Sequence, residues 1–225
     1  MARAKSPRVY NPDRFDEEYY ERGAVTGISG YRDYSWMPEL SIKMAHFMIN
    51  HLPIQEHETV LDFGCAKGYL VRALRILEIA AYGVDVSKYA IDQTPPDVRH
   101  CCDHVEGCHD PRLFARHYNW MVSKDVFEHV PEPELRVLLE NAYKHVDKIY
   151  TIIPLGKDNV SNRFVVPSYD HDVTHITVKT KTWWTNLFRE HGWETVSFNY
   201  SLRGVKDQWT GAYSKGNGFF LLNKI

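Results

Sequence analysis

The chain has 225 residues, with 27 Lys+Arg against 29 Asp+Glu and a formal net charge of −2. That length suits one full α/β domain, and the near balance of charge argues against a surface built to wrap long nucleic acid. No apolar run reaches the roughly 18 residues a membrane-spanning helix needs, the first 23 residues carry no apolar signal core, and four cysteines at 65, 101, 102 and 108, two of them adjacent, read as the reduced thiols of a cytoplasmic protein.

Residues 1–36 are rich in Tyr, Arg, Asp and Glu, with glycines at 23, 27 and 30. They read as an arm with one short helix near 13–21, set before a main domain at 37–225. Pro38 opens a helical pattern with Leu40, Met44, Phe47 and Met48 on one face, and Pro53 closes it. Strands and helices then alternate: TVLDF (59–63) as strand, 67–78 as helix, AYGVDV (81–86) as strand, and 87–92 as a short helix. A strand at 98–102 and WMVSKD (120–125) follow, then a helix at 132–144 carrying Leu135, Leu138, Leu139 and Ala142, and the strand KIYTIIP (148–154). This alternation predicts a mainly parallel sheet covered on both faces. Residues 155–178 are polar and without a period. A helix at 181–191 opens with Trp183 and Trp184, one of them expected in the core. A strand at 193–200, a polar loop at 201–217 and the strand GFFLLN complete the chain, and the last two strands could pair antiparallel.

Parallel α/β sheets bind ligands beyond the carboxyl ends of their strands. VLDFGCAKG (60–68) ends the first strand there, with Gly64 and Gly68 allowing a close backbone approach. The stretch lacks the G-x-x-x-x-G-K-[ST] of a phosphate loop. Ala66 stands where a dinucleotide turn places its second glycine, so a pyrophosphate is disfavoured. A ligand with adenosine but no phosphate fits better. Asp62 would serve an ammonium group, Asp85 could accept both ribose hydroxyls, and Asp103 could reach an adenine amino group. Together these describe S-adenosylmethionine.

VLDFGCAKG, GVDVS, CCDHVEG and WMVSKDVFEHVPE, in that order, resemble the four motifs of the class I S-adenosylmethionine-dependent methyltransferases over roughly residues 55–222. The resemblance implies a Rossmann-like, three-layer, seven-stranded sheet, mainly parallel with an antiparallel last strand. It places Asp62, Gly64, Cys65 and Gly68 around the methionine part, Asp85 and Val86 at the ribose, Asp103 and His104 beside the adenine, and Lys124 at the mouth. By analogy with similar enzymes the arm becomes a lid hinged at its glycines, with Tyr31 touching the cofactor.

Methyl transfer needs positioning and, for a hydroxyl acceptor, a base. His129, in DVFEHVPE past the fourth strand, and His175, in YDHDVTHITV, are the candidates. Two resembling subgroups, the ubiquinone-pathway O-methyltransferases and the small-RNA 3′-end 2′-O-methyltransferases, use an acid-x-x-Glu-His motif for a divalent metal. Asp125, Glu128, His129 and His175 could hold Mg²⁺ or Mn²⁺ in that way, as an alternative to a metal-free site. Cys101, Cys102, His104, Cys108 and His109 lack the spacing of a zinc site and suit packing. The expected activity is transfer of a methyl to oxygen or nitrogen of a small molecule or saccharide. An RNA-end 2′-O-methyltransferase and a non-catalytic cofactor-binding protein are the alternatives. The fourth motif lacks the Asn/Asp-Pro-Pro-aromatic run of resembling DNA enzymes, and nothing in the pattern fixes an oligomeric state.

Overall fold

The computed structural model describes residues 10–225. Seven strands, β1 (Thr59–Phe63), β2 (Ala80–Asp85), β3 (Cys102–His104), β4 (Tyr118–Lys124), β5 (Val146–Pro154), β6 (Trp193–Asn199) and β7 (Asn217–Lys224), form one sheet. Their order is β3-β2-β1-β4-β5-β7-β6. The first five pair in parallel, and β7 runs antiparallel to both β5 and β6. The expected Rossmann-like sheet with an antiparallel final strand is therefore present.

The period of two along each strand sorts side chains onto two faces. Val60, Trp120, Val122, Tyr150 and Ile152 share one core with Ala45 and Met48 of α2 (Pro38–His51) and Leu70, Val71 and Leu74 of α3 (Tyr69–Ile76). Leu61, Met121, Ile149 and Leu222 share the other with Leu135, Leu138 and Leu139 of α5 (Glu132–His145) and Trp184 and Phe188 of α6 (Lys181–Glu190). Those four strand residues are register partners across β1, β4, β5 and β7. A one-residue slip of any strand would carry its apolar set to the wrong layer.

Several boundaries differ from the sequence reading. The strand expected at 98–102 begins at Cys102, because Arg99–Cys101 forms a 3₁₀ turn first. The loop at 201–217 contains α7 (Asp207–Ala212), a helix too short to show a period. The single helix expected near 13–21 is a 3₁₀ turn at Pro12–Arg14 and one π-turn at Glu18–Arg22, running into α1 (Gly23–Thr26). Leu40 is 54% exposed and takes no part in the buried face of α2. Residues 155–178 are polar in composition yet bury Phe164, Val166, Thr174, His175 and Thr177. α4 (Lys88–Asp92) is capped by the Ser87 hydroxyl. No helix among the described residues is long and apolar enough to cross a membrane.

Candidate active site

The carboxyl ends of β1, β2 and β4 lie along one edge of the sheet. After β1 the chain turns sharply. Gly64 (φ 81°) and Cys65 donate their backbone N–H groups to the Val84 carbonyl at 2.9 and 3.0 Å. A β-carbon on Gly64 would stand 2.4 Å from a methyl of Val126, so glycine is required by backbone angle and by space together. Gly68 (φ 70°) caps α3. Its own β-carbon would meet Cys102 Sγ at 2.8 Å.

This turn brings Ala66 to β2. Asp85 accepts the Ala66 N–H and the Ser87 N–H, each at 2.7 Å. Burial raises the Asp85 carboxyl and these hydrogen bonds counter it. Asp62, 4% exposed, makes no side-chain hydrogen bond with the described residues. Burial pushes it up to about 7, helped by Asp85 and opposed by Lys124. Such an acid lacks a cation, and an ammonium ligand would supply one.

Asp62, Gly64, Cys65, Asp85, Val86, Lys124 and Tyr31 all line one cavity of about 160 Å³, many times the 10–15 Å³ a single water occupies. Asp125 and His129 line the same cavity. Three expected cofactor residues lie outside its wall. Gly68 serves the α3 cap and packing, Asp103 is exposed, and His104 approaches the Val86 carbonyl at 3.2 Å. Val105, Gly107 and Cys108 form the wall there instead. The strand begins at Cys102, so the pocket-facing position falls two residues beyond Asp103.

The arm covers this cavity. Tyr10, Phe15, Tyr19, Tyr20, Tyr31 and Tyr34 line it. Tyr19, Tyr20, Tyr31 and Tyr34 pack ring against ring at 4.9–5.7 Å. Lys67, in the glycine turn, meets Glu21 at 2.5 Å and the Tyr34 carbonyl at 2.8 Å. Tyr89 also donates to Glu21 at 3.0 Å, and the Ser87 hydroxyl donates to the Phe15 carbonyl. Lys67 and Glu21 were invisible as partners because 46 residues separate them. Gly23 packs closely on Ser29, whose Oγ lies 1.8 Å from where a β-carbon would stand.

Past β4, Asp125 adopts φ 57°, a left-handed conformation that Asp tolerates better than most residues. Lys124 Nζ reaches its carboxylate at 2.7 Å and Lys206 Nζ contacts the other oxygen. Burial would raise the Asp125 carboxyl, but these two ammonium groups hold it well below the usual carboxylate range. Lys206 also donates to Asn217 Oδ1 at 2.7 Å.

Glu128 is fully buried, and neither carboxylate oxygen has a hydrogen-bond partner among the described residues. Its Oε1 lies 4.0 Å from His129 Nε2 and 3.8 Å from His175 Nε2. Ile176 and Thr177 donate their N–H groups to the Glu128 carbonyl at 2.8 and 2.9 Å, which fixes the His175 segment against this turn. Burial, with Asp125 adding repulsion, lifts the Glu128 carboxyl well above its ordinary range. Burial and the adjacent His175 push His129 down to about 4, and burial lowers His175 as well. Both imidazoles are thereby held neutral.

One candidate donor from each of Glu128, His129 and His175 lies within 4.8 Å of the others. Orphaned carboxylate oxygens facing two neutral imidazoles fit a divalent cation. Asp125, expected as a fourth ligand, is instead committed to two lysines. Among the described residues no metal-ligand set gathers around Cys101, Cys102, His104, Cys108 and His109. All four cysteines are buried and free.

A methyltransferase domain model matches residues 37–198, and the chain belongs to that family: it is an S-adenosylmethionine-dependent methyltransferase. No curated protein matches the sequence. Similar solved structures include the complex of the Trm112 methyltransferase activator of Haloferax volcanii with a methyltransferase. That likeness has a TM-score of 0.64 and 17% identity over 84% of this chain and 91% of the other. The glycopeptide N-methyltransferase MtfA, complexed with sinefungin, gives 0.60 and 12% over 82% and 87%. The mitomycin 7-O-methyltransferase MmcR gives 0.58 and 9% over 83% of this chain, which spans 54% of that longer protein. At these identities the likeness is one of fold.

Proposed function

We propose that the protein transfers the methyl group of S-adenosylmethionine to an oxygen or nitrogen of a small molecule or saccharide seated between the arm and the turn after β4. The observation that carries this reading is one cavity lined by Asp62, Asp85 and His129 together. The cofactor supplies an activated methyl on sulfonium, and displacement from it needs alignment above all. Asp62 takes the amino group of the methionine part, and Asp85 takes the ribose hydroxyls with the lone pairs its backbone bonds leave free. Tyr31 and its neighbouring rings close the arm over both as a lid. With a hydroxyl acceptor, the oxygen–hydrogen bond breaks as the oxygen–methyl bond forms, and His129 Nε2 takes the proton. The resulting imidazolium lies beside Glu128 and His175. The acceptor's class, small molecule or saccharide, rests on the aromatic wall of a cavity of this size, which suits a compact ligand.

A second reading is favoured by Glu128. Its two unpartnered oxygens, with His129 and His175, would hold Mg²⁺ or a transition-metal ion, which would anchor and acidify an acceptor hydroxyl.

The test is transfer of labelled methyl from S-adenosylmethionine to a panel of phenols, sugars, amines and a short RNA with a free 3′ end. The reading predicts methylation of a small hydroxyl or amine. For a hydroxyl acceptor, His129→Ala should cost on the order of 10²–10⁴-fold in turnover while S-adenosylhomocysteine binding is unchanged. Transfer to RNA alone would replace the acceptor, and cofactor binding with no transfer to any class would favour a binding protein.

A further inference from the structure

The segment 169–175 carries side chains that the methyl-transfer reading does not use, and they end on His129. Thr174 Oγ1 lies 2.8 Å from His129 Nδ1 and 2.5 Å from Asp172 Oδ1. The same Oδ1 accepts the Thr174 backbone N–H at 2.9 Å. An N–H can only donate, so Oδ1 is an acceptor. The Thr174 hydroxyl has one proton, and it goes to Asp172. The oxygen of that hydroxyl must then accept from His129, which places the His129 proton on Nδ1 and leaves a lone pair on Nε2.

His175 is set in the same sense by a different partner. Its Nδ1 lies 2.6 Å from the Tyr169 carbonyl, and a carbonyl accepts only. Both imidazoles therefore carry Nδ1–H, and both bare Nε2 atoms face Glu128. The far oxygen of Asp172 reaches the arm, where the Tyr19 hydroxyl donates to Oδ2 at 3.2 Å. Val173 N–H also donates to the Ile28 carbonyl at 3.2 Å. Phe15 of the arm packs edge-on against Tyr19 and against the His129 ring. All members of the chain Tyr19, Asp172, Thr174 and His129 are at most 9% exposed, so water does not compete for these bonds.

We propose that Asp172 and Thr174 are positioning residues that fix His129 as its Nδ1–H tautomer, and that the arm completes this relay through Tyr19. The consequence is a site in which neither histidine places a proton toward Glu128. His129 can accept a proton from an acceptor hydroxyl, or a cation can enter, without a prior tautomer change. The arm over the cofactor and the chemistry at His129 are then joined by one line of hydrogen bonds. This rests on His129 as the acceptor-side residue of the proposed function, but the tautomer itself does not.

The test is two-bond proton–nitrogen correlation spectroscopy on the full chain labelled with ¹⁵N-histidine, with His129 assigned by the spectrum of His129→Gln. Wild type should show Nδ1 as the protonated, pyrrole-type nitrogen of His129 and Nε2 as the bare, pyridine-type nitrogen. Thr174→Val removes the hydroxyl that faces Nδ1 and should move the pattern toward Nε2–H. Thr174→Ser should restore it. Tyr19→Phe should keep the tautomer but broaden the His129 signals as Asp172 loses the donor on Oδ2. An Nε2–H pattern in wild type overturns the proposal without any variant, so a misfolded Thr174→Val cannot protect it. An unchanged pattern in folded Thr174→Val overturns it equally. S-adenosylhomocysteine titration of the same samples separates the two ideas. The expected tautomer without cofactor binding would leave the relay standing and remove the methyltransferase reading. Binding with the wrong tautomer would do the reverse. Second-sphere partners of this kind are worth about 10–100-fold where measured, and that loss in turnover is expected of Thr174→Val once an acceptor is in hand.

Discussion

Lys206 lies 81 residues from Asp125 in sequence, and its ammonium sits on the carboxylate. With Lys124 on the other oxygen, the acid that the Asp-x-x-Glu-His motif offers as a metal ligand is already neutralised. Lys206→Met should therefore act mainly on stability. Removing one partner of a buried pair costs about 3–5 kcal/mol, a fall in melting temperature of roughly 6–20 °C for a chain of this size. Lys124 keeps part of the compensation, so the low end is expected. The Asp125→Asn/Lys206→Met double variant should lose less than the sum of the singles. The sign with pH follows from the depressed Asp125 carboxyl. Its stabilisation is fully present above the ordinary aspartate value of about 4 and is lost as the pH falls below it. Thermal melts across acid pH should show a shallower loss in Lys206→Met than in wild type.

Asp62 behaves in the opposite way. Its folded-state value of about 7 lies above the unfolded one of about 4, so the folded protein binds the extra proton and stability falls as the pH rises through that window. Asp62→Asn should raise the melting temperature of the ligand-free protein at pH values above about 7, by roughly 4 °C or more. The gain should shrink toward pH about 4, where both forms are neutral. The same change should weaken S-adenosylhomocysteine binding by at least tenfold, about 1.4 kcal/mol. A variant that is more stable yet binds less well is the signature of an acid kept for a ligand.

Gly64→Ala should be costly for reasons unrelated to the cofactor's size. It forces an L-residue to φ 81° and drives its β-carbon to 2.4 Å from a Val126 methyl. A loss of about 1–3 kcal/mol is expected from overpacking, read as a lowered denaturation midpoint. Gly64→Ala/Val126→Ala should recover the steric part and leave the backbone part.

Removal of residues 1–36 should spare the sheet. Among the described residues, the two large cores contain no buried arm residue, and only Trp36 of the arm packs against one of them. The truncated chain should keep its far-ultraviolet circular dichroism but bind S-adenosylhomocysteine at least roughly tenfold more weakly. Tyr19, Tyr20, Tyr31 and Tyr34 would no longer wall the cavity. Unchanged affinity would show that the arm is not a lid.

What could be read from the sequence follows the range of the interactions. The turn at Gly64–Gly68 and the acid at Asp85 are local patterns with a fixed strand–turn–helix context, and the structure brings Gly64, Cys65, Ala66 and Asp85 into one cavity. The strands β1, β4, β5 and β7 are legible as apolar runs, as strands buried on both faces are, but for that reason no alternation marks their register. The partners that tune the site are long-range. Glu21 reaches Lys67, Lys206 reaches Asp125, and Thr174 reaches His129 from segments with no period, so nothing local marks them. Asp172 and Thr174 stand inside YDHDVTHITV, a segment with no period to place their side chains. Asp103 illustrates a boundary error with consequences: a strand displaced by a 3₁₀ turn moved the wall of the cavity to Val105 and Cys108.

The most direct test of the central claim is calorimetric titration of S-adenosylhomocysteine into the purified full-length chain, first with a chelator present and then with added Mg²⁺ or Mn²⁺. The account predicts one site per chain with a dissociation constant of about 1 μM or below, near −8 kcal/mol, abolished or strongly weakened by Asp62→Asn and retained in His129→Ala. No binding to a folded protein under either condition would contradict it.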